Sequence, residues 1–398
     1  MLKPRLLTTL AVAAFLVLPS TRASGSEGGS SLELKHEFFW DRNGVWNHTP
    51  AFSFRQMLNR KWSLSWEQEL DVVSGASRRL GADKTGPFGN QELDGVSGAS
   101  KVEVRHSENP ALTYAHKGTS LSGSFYYSRE DDYVSRAPGV SWSQDFNERN
   151  TTLGFNYGEF FDDFRPRGAF AKEGGRKRIR TLGTTLAQSL SPLTLVALTA
   201  TYVNSWGYLG HPYNPPTDSL GTMLTETLPS RKRAGALSGQ IVQGFHLREE
   251  LASINLDLRR YQDDWGVKST TADLKLSKYV SEGTYLRLRG RYYNQTGALF
   301  AKDVYRGTEA YRTADIRFFP FSSFLAGAKL SGPFPELFGE SAFLPDRWDI
   351  KYDQMLRDTR GDPSGGPAGE PRQMRYQLYD PDERYLQGVF MMGLLFNL

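Results

Sequence analysis

The feature that most constrains this chain is an alternation of period two, repeated through many segments, with full charges on the second face. In "GTYLRLRGRYY", Leu286, Leu288, Gly290 and Tyr292 hold one parity, and Arg287, Arg289 and Arg291 hold the other. "KWSLSWEQEL" sets Trp62, Leu64, Trp66 and Leu70 against Ser63, Ser65, Glu67 and Glu69. "SINLDLRR" sets Ile254, Leu256 and Leu258 against Asn255, Asp257 and Arg259. Successive side chains of a strand point to opposite faces, so each segment reads as a strand with one apolar and one polar side. Many segments run to about 10–14 residues, longer than the usual soluble strand of roughly 5 or 6. An aromatic content of 13 % combined with a negative mean hydropathy fits a barrel with a lipid-facing wall and a polar interior.

The connections sharpen this expectation. Very short turns are read at Asn59, Lys117, Asn147, Leu190, Val280 and Pro320. Long polar excursions lie between them, near 74–99, 162–175, 206–230 and 332–383. The short connections at Asp131 and Asp263 share the rim of the long ones. Counted off strand by strand, the long loops fall on one rim and the short turns on the other. In "YLQGVFMMGLLFNL", Phe390, Met392, Leu394, Phe396 and Leu398 form an apolar stripe suited to a closing strand. The expected fold is therefore all-β, an antiparallel transmembrane β-barrel of about 16 strands (roughly 14 to 18), with short periplasmic turns and long extracellular loops. "DRWDIKYDQML" and "RQMRYQLY" read either as two barrel strands or as a hairpin projecting from an external loop.

The N-terminal segment reads as a targeting signal. Lys3 and Arg5 precede the apolar run Leu6–Leu18, and Thr21 and Ala23 are small residues suited to a cleavage site. The run is shorter than the roughly 20 residues of a membrane-spanning helix. The expectation is a cleaved signal peptide over 1–23 and a single barrel domain over 24–398.

The composition excludes several chemistries. The 398 residues contain no cysteine, which removes disulfides, thiol nucleophiles, cysteine zinc sites and c-type haem attachment. With 48 basic and 44 acidic residues the charge is nearly balanced, which gives no argument for nucleic acid. The six histidines form no metal-binding pair motif, and no G-x-S-x-G or phosphate-binding loop occurs. They are read as lumen or rim residues, and no enzyme activity, metal or cofactor is expected. Trp62, Trp66, Trp142, Trp206, Trp265 and Trp348 are assigned to interfacial aromatic belts.

Three features invite a functional reading. "LDVVSGAS" at Leu70–Ser77 recurs as "LDGVSGAS" at Leu93–Ser100. Asp71, Ser74 and Gly75, with Asp94, Ser97 and Gly98, read first as architecture, a tight crossing of two strand ends. The alternative is an oxygen-rich cation pocket, thinly supplied by two carboxylates. Arg259, Arg287, Arg289 and Arg291 read either as a basic pore lining or as charges paired with Asp257 and Asp273. The run "EGGRKRIR" (Glu173–Arg180) reads as a solvated loop, or as a contact for lipopolysaccharide phosphates.

The doubled phrase, "SREDDYVS", "SQDFNERNTTLGFNYG", "LAQSLSPLTLVALTATY" and "GYLGHPY" together resemble the bacterial domain-of-unknown-function family 3570, over nearly all of the mature chain. The resemblance implies an outer-membrane barrel with no assigned reaction. It also implies neighbours that include small lipoproteins and a flavin-attaching transferase. The expected function is a porin-like conduit for small polar or anionic solutes in the bacterial outer membrane. The alternative is a non-enzymatic scaffold holding a periplasmic or surface redox partner. Expected partners are outer-membrane lipid and lipopolysaccharide, the barrel-assembly machinery, and a small lipoprotein or flavin-bearing redox protein.

Overall fold

The computed structural model describes residues 29–41, 45–73, 103–167, 173–212, 215–216, 218, 222, 224–302, 305–334, 344–358 and 385–397. Sixteen strands follow one another along the chain. They are β1 (Ser30–Asp41), β2 (Trp46–Met57), β3 (Trp62–Val73), β4 (Glu103–His116), β5 (Thr119–Arg129) and β6 (Tyr133–Phe146). Next come β7 (Thr151–Phe164), β8 (Gly175–Ser191), β9 (Thr194–Gly207), β10 (Arg231–Leu247) and β11 (Glu250–Asp263). The last five are β12 (Lys268–Tyr279), β13 (Tyr285–Gln295), β14 (Phe321–Pro333), β15 (Arg347–Asp358) and β16 (Tyr385–Asn397). Every strand pairs antiparallel with its sequence neighbours, and β1 pairs with β16 from Ser31↔Asn397 to Asp41↔Gln387, so the sheet closes on itself.

The alternation read in the sequence becomes the two surfaces of this wall. Leu182, Leu198, Leu258, Leu288 and Phe324 stand outward and about half-exposed. On the same strands Thr181, Thr199, Asp257, Arg289 and Ser323 stand inward. An apolar outer wall of this extent is suited to lipid rather than water. The fold is a transmembrane β-barrel.

One rim carries the short hairpins. Lys117 and Gly118 both have positive φ, 49° and 80°, the geometry of a two-residue turn matched to strand twist. Arg248 and Glu249 do the same at 53° and 70° without a glycine. Two details depart from expectation. Pro320 ends a long connection, 296–320, and does not mark a short turn. The excursion near 332–383 is divided by β15, which contains most of "DRWDIKYDQML", so its first part lies on the short-turn rim. "RQMRYQLY", like the signal segment and Leu398, lies outside the described residues.

The connections 208–230 and 296–320 knit together at the other rim. Asp218 bridges Tyr305, and Thr227 and Arg312 each donate a backbone hydrogen bond to the other's carbonyl, at 3.0 and 2.8 Å. Tyr305 and Thr313 are almost wholly buried between them. Trp265 joins this cluster rather than the outer aromatic belt. It is buried against Phe300 and Phe318, and its indole N–H donates to the Arg231 carbonyl at 2.8 Å. A large aromatic at a hairpin tip is more stable under a loop than in water. Trp62, Trp66, Trp142, Trp206 and Trp348 do lie on the outward face. So do His36 and His48, which stack at 5.5 Å on the outer surface rather than in the lumen.

Left-handed backbone at two non-glycine residues is costly, about 1–2 kcal/mol each. The double substitution Arg248→Asn, Glu249→Gly is therefore expected to stabilise the barrel by about 1 kcal/mol or more. The measurement is the temperature at which the folded, fast-migrating band is lost on a gel. An unchanged or lower temperature would show that the turn is not a source of strain.

Candidate lumen site

Strand parity divides the inner wall by charge. On β1–β4 the inward acids are Glu33, Glu37, Asp41, Glu67, Glu69, Asp71 and Glu103, against Lys35, Arg55 and Arg105. On β11–β15 the balance reverses. Arg259, Lys275, Arg287, Arg289, Arg291, Lys329, Arg347, Lys351 and Arg357 face Asp257, Asp263, Asp273, Asp349 and Asp353. Among the described residues the β1–β4 arc thus carries four more acids than bases, and the β11–β15 arc four more bases than acids.

The basic wall is crossed by a chain of ion pairs. Lys275 lies 2.9 Å from Asp257 and 4.0 Å from Asp273. Arg289 donates from Nε to both Asp273 oxygens, at 3.1 and 3.0 Å, and reaches Asp353 at 3.3 Å. Lys351 holds Asp353 at 2.8 Å, and Lys329 meets Asp349 at 3.3 Å. Between β13 and β15, the β14 residue beneath Asp353 is Gly327. A Cβ there would stand 1.9 Å from the carboxylate, so only glycine leaves room for the pair to pass over the intervening strand.

This network sorts the four arginines singled out from the sequence. All four face the lumen. Arg289 is committed to Asp273 and Asp353. Arg259 lies over the Tyr261 ring at 5.7 Å. Arg287 lies over Tyr285 at 5.4 Å and donates to Ser277 Oγ at 3.1 Å. Arg291 stands opposite Asp273 in register, but that carboxylate is already held by Arg289. Among the described residues, none of Arg259, Arg287 and Arg291 has a carboxylate within 4.0 Å.

Of the doubled phrase, Asp71 is described and is buried in the acidic wall. One oxygen accepts from Thr49 Oγ1 at 2.6 Å, and the other is held by Arg105. Ser74, Gly75, Asp94, Ser97 and Gly98 lie outside the described residues.

The knitted loops narrow the mouth and leave a cavity of about 660 Å³ between themselves and the wall. Tyr208, His211 and Arg317 line it from the loops, Glu130 and Asp132 from the β5–β6 turn, and Arg105, Lys177 and Lys232 from the wall. Glu103, Glu130 and Asp132 bring carboxylate oxygens within 4.8 Å of one another. Burial, with Glu103 and Asp132 beside it, pushes Glu130 up to about 7 against the pull of Arg105. Beneath the loops Glu226 accepts from Thr313 Oγ1 at 2.5 Å and from the His211 backbone N–H. Burial lifts Glu226 to about 7, Asp315 adds to the lift, and the two donors and Arg317 oppose it. Sequence reading missed this loop cluster. Its available signal was aromatic, since Trp265, Phe300, Phe318 and Phe319 crowd connections that would otherwise be wet.

The family described as "Protein of unknown function (DUF3570)" matches residues 10–338. The chain belongs to this family. No curated protein matches it. Among solved structures, the DUF3570 barrel is similar to a bacterial polysaccharide outer membrane secretin, at 8 % identity and TM-score 0.49, over 93 % of this chain and 99 % of that one. It is also similar to Pseudomonas aeruginosa OpdK with vanillate, at 10 % identity and TM-score 0.44, over 94 % and 99 %. A third is P. aeruginosa OccK2 (OpdF) in complex with glucuronate, at 10 % identity and TM-score 0.42, over 94 % and 98 %.

Two predictions concern this site. Gly327→Val forces Asp353 off Arg289 and is expected to cost about 1–3 kcal/mol, the usual range for overpacking. Gly290→Ala, which meets open space, serves as the control. Thermal loss of the folded band compares them, and equal stability of the two would refute the bridging role. The second is a pH dependence. A carboxyl raised from 4.5 to about 7 in the folded state stabilises the loops fully below pH 4.5, and that stability is lost as pH rises through about 7. Hydrogen exchange at the Thr227 and Arg312 amides, corrected for intrinsic rate, should therefore show more opening at pH 8 than at pH 5. Glu226→Gln should flatten the difference, and a persisting pH dependence would assign it to another group.

Proposed function

We propose that this chain is a porin-like, non-enzymatic conduit of the bacterial outer membrane for small polar solutes, with a preference for anions. The observation that carries the reading is the set of three lumen guanidinium groups, Arg259, Arg287 and Arg291, that lack a carboxylate partner among the described residues, on a wall with excess positive charge. A wall built only for strength would pair its charges, as Arg289 is paired. Arg287 and Arg291 lie four residues apart on β13, and the same-face spacing along a strand is about 7 Å per two residues. An anion passed between them would exchange one guanidinium for the next without full dehydration, which is what a conducting site needs. The acidic arc on β1–β4, set apart from this wall by β16, gives cations a separate path along the lumen.

The test is single-channel conductance of the refolded protein in a salt gradient. The expected result is steady openings with a reversal potential favouring anions. Replacing Arg259, Arg287 and Arg291 by Gln is expected to lower that potential by roughly half while channels still open. A barrel that never conducts would overturn the conduit. Anion preference unchanged in the triple variant would overturn the role given to these arginines.

A further inference from the structure

On the outer wall, below the long-loop rim, strand register assembles a row that no single segment of sequence displays. Arg136 of β6 pairs Phe161 of β7, which pairs Arg178 of β8, which pairs Trp206 of β9, which pairs Arg231 of β10. All five face outward, cation and aromatic in turn. Neighbouring strands lie about 4.8 Å apart, so successive arginines of the row stand roughly 10 Å from each other. One step toward the membrane is a second row, Glu159, Arg180, Asn204 and Arg233. The next step is Tyr157, Leu182 and Tyr202, where the apolar wall begins.

Two of the guanidinium groups, those of Arg178 and Arg180, are held by rings. Arg178 lies 4.6 Å from the Phe161 centroid and 5.4 Å from Trp206, and Arg180 lies 5.3 Å from Trp206. Such contacts fix the plane of a guanidinium without using its N–H donors. Glu159 takes one donor from each, at 3.1 Å, and Arg233 meets Asp264 at 3.4 Å. Among the described residues these five guanidinium groups have three outward carboxylates near them, Glu159, Asp264 and Asp163, and Asp163 is also held by Arg165 at 2.5 Å. Arg178 and Arg180 remain close to half-exposed.

We propose that this patch binds the phosphate groups of a phosphorylated glycolipid of the outer leaflet, lipid A being the chemical type. Fixed, planar, paired arginines suit phosphate oxygens, which accept two N–H bonds at once. A row about 20 Å long, with arginines at both ends and the middle, suits a headgroup that carries phosphates on two joined sugars better than a single phosphodiester. The aromatic–aliphatic row beneath receives the acyl chains. The inference rests on the outer-membrane placement proposed above, but not on conduction, because it uses the outer wall alone.

The test is native mass spectrometry of the full-length barrel in detergent, offered bis-phosphorylated lipid A, its dephosphorylated form, or phosphatidylglycerol. Retention of the bis-phosphorylated form at least about tenfold above the other two is expected. Arg178→Gln with Arg231→Gln should bring retention down to the level of the dephosphorylated lipid. The lumen variant Arg259→Gln with Arg291→Gln should leave it unchanged. If the outer double variant fails to fold, Arg178→Lys alone is expected to lower retention several-fold, since an ammonium cannot form the paired contact. Equal retention of the two lipid A forms overturns the proposal, as does equal retention of phosphatidylglycerol or a loss in the lumen variant. Membrane fractionation of cells reads the placement separately, so failure of the placement and failure of the site are distinguishable.

Discussion

A sheet standing in lipid has no water to satisfy an unpaired N–H or C=O, and each orphaned group costs several kcal/mol. That constraint decides most of this molecule. It requires the pairing of β1 with β16, because an open edge would leave a dozen backbone groups without partners. It requires long strands, since each must cross the apolar layer. It also inverts the usual distribution of residues. Leucine and phenylalanine go outward, and the charged side chains that water would normally take are turned inward, where they must find one another.

That inward crowding explains how the lumen is organised. Asp71 takes Thr49 and Arg105, and Asp273 takes Arg289 and lies near Lys275, because a carboxylate against a sheet keeps few routes to water. The residues with apolar cores of the ordinary kind are displaced to the mouth. There Trp265, Tyr305 and Phe319 pack as in a small soluble domain, and the paired backbone of Thr227 and Arg312 stands in for secondary structure. The barrel thus holds two solvents' worth of design, an inverted wall and a conventional cluster seated in one end.

Much of the fold was legible because alternation is local. Any eight residues of β13 show which face is which, and the count of about 16 strands followed from repeated segments of this kind. The same locality limited the reading of the site. Parity placed Arg259, Arg287, Arg289 and Arg291 on the inner face, but their different fates depend on Asp353, 64 residues beyond Arg289. Pro320 reads as a short turn because the Phe and Tyr residues of 296–320 mimic a wall. They are apolar for another reason, to bury themselves against the 208–230 loop. Of the arginines and aromatics from β6 to β10, the sequence displays only Arg178 and Arg180, in the run Glu173–Arg180, most of which is the start of β8 rather than a loop; the other members come from separate strands.

Gly327 carries a consequence for assembly. The smallest slip of β14 that keeps its apolar face outward is two residues. Such a slip would bring Leu325 or Lys329 beneath Asp353, where even a methyl group does not fit. Arg289 would then face one carboxylate instead of two, with the other held off the wall by a side chain. The gap in β14 therefore acts as a proofreading device. The three strands accept one alignment and penalise the nearest alternatives, in a stretch where Ser, Ala and Gly side chains would otherwise slide past their neighbours with little resistance.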